Sequence, residues 1–380
     1  MLTEWLAALT GAPRTPVPSA PLRVAFVKQD VHHDLYCCPP DASLTELLSS
    51  TLLRPGPVAL FTRWGARFHI VAVEPDAECN IWREKWDSLK WWPIERYEAL
   101  RNHIPGRPHG QASFATRVAD VDWSQYDLVV SCDVCVPARI TREFPSTVWA
   151  YFVHEVKAPS FAKSMLAPLP GQDLFLNQFF HMKPSARQHP PHVIEFPFHF
   201  HHVGWFHEVF GGDFESPRHG VFVEHHTAET LSAADLTALA RFGPVRSTAL
   251  MSADRRRTFD AGEYRRTLEP DCRDALMGSK YFFKSAGRKV LGTAMVEAIA
   301  AGCVALGDPD QELHGFFYSR PLRVRTLDDV LRALDRLEAN PALYRREVAR
   351  QRVLLDRLCF ARPAEDLAKA VDRVRAGRVR

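Results

Sequence analysis

Along most of the chain, short apolar runs alternate with stretches of helical spacing, the pattern of strands and helices wound into parallel sheets. In the first half, Leu22 to Val27 (LRVAFV), Phe68 to Val73 (FHIVAV), Tyr126 to Ser131 and Thr147 to Val153 (TVWAYFV) read as strands buried on both faces. Leu44 to Leu53 has helical spacing, and the runs Gly171 to Phe180 and His192 to Phe196 close this half. Residues 1–12 read as a short amphipathic helix, followed by the Pro-rich linker GAPRTPVPSAP. A second series begins at Val221. The pattern predicts a strand at Val221 to Val223, a helix over Ser232 to Arg241, a strand at Ser247 to Met251 and a helix over Cys272 to Met277. Later, Leu327 to Leu337 and Pro341 to Leu358 are amphipathic and rich in arginine, and residues 360–376 continue in the same way.

Periodicity lapses over residues 197–220, where PFHFHHVGWFHEVFGGDFESPRHG gathers glycines and histidines. At 380 residues the chain is long for one ordinary core. The expected division is therefore residues 1–198 and 199–359, with 360–380 as a closing helix. His199, His201, His202, His207 and Glu208 alternate at strand period and lack His-Glu-x-x-His geometry, so they are expected to pack between domains rather than to ligate.

The most informative stretch runs from Tyr281 to Asp308, YFFKSAGRKVLGTAMVEAIAAGCVALGD. It reads as strand, loop, helix, strand. Ser285, Ala286 and Gly287 suit a turn after the aromatic run. From about Gly292 the spacing becomes helical, with Met295, Ile299, Ala294, Ala298 and Ala301 on a packed face, and Gly302 stops the helix. Such a loop aims free N–H groups and the positive end of the helix dipole at its ligand, which favours phosphate. Gly292 and Thr293 supply N–H groups without bulk, and Arg288 and Lys289 add cations. Glu297, about one turn further in, could accept hydrogen bonds from ribose hydroxyls. These residues look suited to a nucleoside diphosphate.

Phe283-Lys284-Ser285, Leu291-Gly292, Glu297-Ala298 and Gly302 resemble the donor-binding region of GT-B glycosyltransferases, above all the large retaining group called family 4. Ser285, Gly292, Glu297 and Gly302 fall at matching spacing, while Lys284 stands for the group's Pro and Lys289 for its first Glu. The detailed likeness covers roughly the last hundred residues. It implies an α/β protein of two Rossmann-like domains facing across a cleft, with acceptor on the N-terminal side and donor on the C-terminal side. It further implies a closing helix that crosses back to the N-terminal domain, and sugar transfer from a nucleotide-sugar donor to a hydroxyl-bearing acceptor. Two other readings stay open: a nucleotide-sugar epimerase of the same fold, and a non-catalytic nucleotide-sugar-binding protein.

Candidate acceptor chemistry lies at His154 and Glu155, a titratable pair directly after the run ending at Val153. Four tryptophans (Trp82, Trp86, Trp91, Trp92) suit core packing or stacking against a sugar. No GxGxxG follows the first strand, which argues against a dinucleotide cofactor, and no cofactor is expected. No carboxylate pair is set for metal and diphosphate: Asp308-Pro309-Asp310 reads as a turn, so metal-independent transfer is expected.

Composition narrows the partners. Hydrophobic residues at 46% and charged residues at 24% fit a globular protein, and a net charge of +3 gives no bulk case for nucleic acid. Arg255-Arg256-Arg257, Arg265-Arg266, Arg345-Arg346 and the closing DRVRAGRVR read as solvated faces or as contacts with an anionic membrane surface. No run is long enough to span a bilayer, and MLTEWLAALTG lacks a basic n-region. Eight cysteines read as free thiols, with Cys132 and Cys135 at a strand end. The expected location is cytoplasmic, with peripheral membrane contact as a further expectation.

Overall fold

The computed structural model describes residues 22–29, 61, 64–71, 112–116, 118–132, 136–153, 170–177, 192–195, 217–253, 269–285, 293–310, 315–357 and 361–378. Among these the chain forms two compact α/β units, each built on a parallel sheet.

The N-terminal unit holds β1 (Val24–Gln29), β2 (Arg67–Val71), β3 (Ala112–Thr116), β4 (Leu128–Cys132), the short helix α1 (Ala138–Thr141), β5 (Val148–Val153), β6 (Leu174–Asn177) and β7 (Val193–Glu195). Its strands lie in the order β3-β2-β1-β4-β5-β6-β7, all parallel. That is the doubly wound order, with the switch point between β1 and β4. The apolar runs are central because a parallel sheet is covered on both faces: Ala25, Val27, Leu128, Val129 and Val148 are all fully buried. One layer of the core is aromatic. Trp123 meets Trp149 edge-on, and Tyr151 stacks on Phe175. The last helix, α9 (Arg362–Arg378), belongs to this unit. Its Arg378 donates to Thr147 O at 2.7 Å and to both carboxylate oxygens of Asp173 at 2.6 Å, while Asp173 Oδ2 also accepts from Trp149 N at 2.8 Å.

The second unit holds β8 (Val221–Val223), α2 (His225–Ala228), α3 (Ala233–Ala240), β9 (Val245–Arg246), α4 (Thr248–Ala253), α5 (Glu269–Gly278), β10 (Tyr281–Lys284), α6 (Thr293–Ala301), β11 (Val304–Gly307), α7 (Leu327–Ala339) and α8 (Pro341–Asp356). Its four parallel strands run β11-β10-β8-β9. From β8 the chain goes first to β9 on one side, then crosses to β10 on the other, so the switch point lies between β8 and β10.

Local chemistry explains the boundaries. Ser232 caps α3 and Thr326 caps α7, each in a reciprocal capping box. Gly302 takes φ +106°, and its N–H reaches Ile299 O while the N–H of Cys303 reaches Ala298 O, the paired bonds of a Schellman stop. The sequence expectation of a strand at Ser247 to Met251 is corrected here. The strand is β9, which ends at Arg246, and Thr248 onward is helix α4, because the Ser247 hydroxyl accepts from Ala249 N at 3.2 Å and opens a helical turn. A short apolar run fits either state by periodicity alone, and the cap decides it. Strands β6 and β7 fall inside the runs Gly171 to Phe180 and His192 to Phe196, whereas β3 had no expected counterpart. Leu44 to Leu53, the four tryptophans of residues 79–93 and the histidines of 199–207 lie outside the described residues.

Gln351 shows how α8 closes the edge of the second sheet. It is fully buried, its Oε1 accepts from Ala305 N at 2.9 Å, and its Nε2 donates to Ala305 O at 2.8 Å and Phe317 O at 3.3 Å. The amide occupies the place of a further strand beside β11.

Candidate nucleotide site at the switch point of the second sheet

Three strand ends frame the site: Val223 of β8, Lys284 of β10 and Gly307 of β11. The first two are tied together. Glu224 N donates to Phe283 O at 2.9 Å, which carries the parallel ladder one residue past β8. Glu224 then caps α2: its carboxylate accepts from Thr227 N at 3.1 Å and, more loosely, from the Thr227 hydroxyl at 3.4 Å. The same hydroxyl oxygen accepts from Ser285 N at 3.1 Å. Glu224 and Thr227 are both buried, so this small network fixes where the chain leaves β10. Sequence reasoning missed both residues. The signal was present, because Glu224 directly follows the first strand of the second series, where ligands of open α/β sheets gather.

After Ser285 the chain enters residues 286–292, which lie outside the described set. Arg288, Lys289 and Gly292, expected at the phosphates, fall there. The side chain of Thr293 does too, although its backbone opens α6. Helix α6 itself is informative. Met295, Val296, Ala298, Ile299, Ala300 and Ala301 are completely buried. Among its residues with described side chains, only Ala294 and Glu297 keep partial exposure. They stand three apart, hence on one face and toward the N-terminal end. A helix otherwise sealed in the core thus leaves one strip open, and Glu297 is the polar group on it.

The third strand end carries Asp308-Pro309-Asp310. Asp308 Oδ1 accepts from Asp310 N at 2.9 Å, and Arg325 reaches Asp308 at 3.6 Å and Asp310 at 2.5 Å. The two carboxylates serve a turn and its arginine. Gly307 is required by close approach, since a Cβ there would run into the Tyr318 ring and the carbonyl of Lys284. Beyond the turn lies a cavity of about 650 Å³, lined by Pro309, Asp310, Gly315, Phe316, Arg323, Arg325 and Asp329. Asp329 in its wall is held down at about 2, chiefly by the backbone N–H groups of Arg325 and Thr326. It is a carboxylate at any ordinary pH.

The expected site residues are therefore brought together only in part. Ser285, Thr293 by its backbone and Glu297 follow one another around the strand-to-helix crossing of β10 and α6. His154 and Glu155 come immediately after β5 in the other unit, outside the described residues. Cys272 and Cys303 are free thiols among the described residues. Among those residues, no helix is long and apolar enough to cross a membrane.

No family model matches the chain, and no curated protein matches it. Solved structures similar to it include sucrose-phosphate synthase from Thermosynechococcus elongatus, 12% identical over 94% of this chain and 100% of that one, with a TM-score of 0.42. The Anabaena protein HepE in complex with UDP is 10% identical over 94% of this chain and 98% of its own, TM-score 0.42. T4 phage BGT in complex with UDP and Mn2+ is 7% identical over 92% of this chain and 99% of its own, TM-score 0.43.

Proposed function

We propose that the chain is a glycosyltransferase of the GT-B type, moving a sugar from a nucleotide-sugar donor to a hydroxyl-bearing acceptor. The observation that carries this reading is the open strip of α6. Glu297 sits on the one partly exposed strip of an otherwise sealed helix, one turn inside its N-terminus, after the strand that borders the switch point, with its Oε1 turned into the protein. A carboxylate there can accept from both ribose hydroxyls, and the N-terminus ahead of it favours the diphosphate.

In this reading the Ser285 hydroxyl, Gly292 and Thr293 cradle the phosphates, and Arg288 and Lys289 balance the charge that develops on the leaving diphosphate. Transfer then needs no divalent cation. Acceptor chemistry falls to His154 and Glu155: a neutral imidazole can take the proton of the attacking hydroxyl, and the carboxylate can orient it. The site is held in register by Thr227, acting through Ser285. The basic segments near the C-terminus suit an acceptor presented at an anionic membrane surface from the cytoplasmic side.

The test is a thermal-shift panel of UDP-, GDP-, ADP-, dTDP- and CMP-sugars on the whole protein and on Glu297→Ala. A ligand that binds only the folded state raises stability by RT ln(1 + [L]/Kd), so a donor present at about 100 times its Kd adds about 2.7 kcal/mol. One nucleotide class should raise the melting temperature of the wild type and leave folded Glu297→Ala unmoved. No shift with any donor, or an equal shift in the variant, overturns the reading.

A further inference from the structure

Helix α2 carries a second group of side chains that the nucleotide reading does not use. His225 Nε2 lies 3.3 Å from Glu229 Oε1, and His226 Nδ1 lies 3.2 Å from Glu229 Oε2. The three ligand atoms all fall within 4.8 Å of one another. Among the described residues, these three form the group of histidine, cysteine and carboxylate side chains able to close on one ion. All three are solvent-accessible, so an ion has a direct path to them.

The spacing matches metal coordination. Bonds of about 2.1 Å from a tetrahedral zinc ion to nitrogen and oxygen set neighbouring ligand atoms about 3.4 Å apart. The two nitrogen–oxygen separations, each to a different oxygen of the Glu229 carboxylate, are near that value. One ligand atom from each residue lies within 4.8 Å of the others, so a small rotation of the side chains closes the set on one ion. The sequence reason is the i, i+4 relation of His225 to Glu229 and the i, i+3 relation of His226, which put both rings beside one carboxylate at the turn that ends α2. The rings stand nearly perpendicular, with centroids 5.3 Å apart, so the two nitrogens approach from different directions.

We propose that His225, His226 and Glu229 bind a divalent transition-metal ion of the zinc class. Two imidazoles and a carboxylate select zinc, cobalt, nickel or copper over magnesium, which demands an octahedral oxygen shell. Three protein ligands leave a coordination position for water. The ion stands beside the nucleotide site and takes no part in transfer. Its structural effect passes through Thr227, two residues from His225, whose hydroxyl receives Ser285 N. Crosslinking α2 with an ion therefore steadies the exit of β10. The proposal stands on these three residues alone, whatever reaction the chain performs.

Cobalt(II) titration of the full chain, freed of metal beforehand, tests it by the visible absorption of the bound ion. The wild type should bind one more Co2+ per chain than His226→Ala or Glu229→Gln, with the weakened site falling by at least about 100-fold, more than the loss of an outer-shell partner costs. Zn2+ should displace the cobalt, and millimolar Mg2+ should not. His199, His201, His202 and His207 are present in every protein compared, so any binding there cancels. Both variants change exposed side chains, and circular dichroism without metal checks each fold. Equal cobalt binding in the wild type and in whichever variant folds overturns the proposal. So does a wild type that shows no cobalt band, or one whose band is lost to magnesium as readily as to zinc.

Discussion

Replacing Thr227 by valine removes one oxygen from the junction between β8 and β10 and leaves the side-chain shape almost unchanged. That oxygen accepts from Ser285 N at 3.1 Å and donates to Glu224 Oε2 at 3.4 Å. The second contact is long, and Glu224 keeps its bond from Thr227 N, so most of the cost falls on Ser285. A buried donor left without an acceptor costs about 1–3 kcal/mol, and the half-buried setting of Ser285 places the loss in the lower part of that range, about 1–2 kcal/mol. For a unit of this size that lowers the melting temperature by roughly 3–6 °C. In the proposed reading Ser285 leads into the residues that meet the diphosphate, so the same change reaches nucleotide binding. Nucleotide affinity should fall by up to about tenfold, equivalent to about 1.4 kcal/mol. Thr227→Ser keeps the hydroxyl and should recover most of both effects. The assays are thermal unfolding with and without the donor identified in the nucleotide panel, and titration of that donor by calorimetry. A valine variant that melts within about 1 °C of wild type, or a serine variant no better than valine, refutes the role assigned to the hydroxyl.

Three further outcomes are expected. His69 is buried, with Nε2 2.8 Å from the Tyr126 hydroxyl, and burial first, then the nearby Arg67, pulls its imidazole down from 6.5 to about 4. The folded state resists protonation, so its contribution is complete above pH 6.5 and is lost as pH falls toward 4. Urea unfolding should show the wild type losing about 3 kcal/mol more than His69→Gln between pH 7 and pH 4, and parallel losses would contradict the assignment. Gln351→Leu strands Ala305 N–H and Ala305 O on the edge of β11, while Phe317 O keeps its bond from Arg350, costing about 2–4 kcal/mol in denaturant unfolding; a loss below about 1 kcal/mol would mean that the edge strand finds other partners. Finally, sugar transfer should survive exhaustive EDTA treatment, and activity that vanishes and then returns with magnesium or manganese would put a metal into the reaction.

The amino-acid sequence by itself determined the elements whose burial is uniform. Val221 to Val223, Tyr281 to Phe283 and Cys303 to Leu306 are apolar without interruption, and each lies in or directly before a strand of the second sheet, because only a position covered on both faces needs such a run. Gly302 announced its own left-handed turn, since a φ of +106° strains any residue that carries a Cβ. Glu297 stood out as the one acidic residue in an apolar helix, and the structure puts it on the open strip. The bounds of short strands were not legible: Val193–Glu195 lay inside a longer run and Val245–Arg246 was displaced to the residues after it, because two or three residues hold no period.

What only tertiary structure decided are the contacts made across distance in the chain. Thr227 and Ser285 are 58 residues apart, and nothing local to either marks the bond between them. Gln351 reads as one more polar residue of an arginine-rich amphipathic helix, yet it is fully buried against an edge strand 46 residues earlier. Arg378 reads as part of a solvated basic tail until Asp173, 205 residues away, is seen to hold it. Periodicity reports whether a position faces water or core. It carries no information about which distant backbone group a buried polar side chain must satisfy, and that requirement is met only when the elements pack.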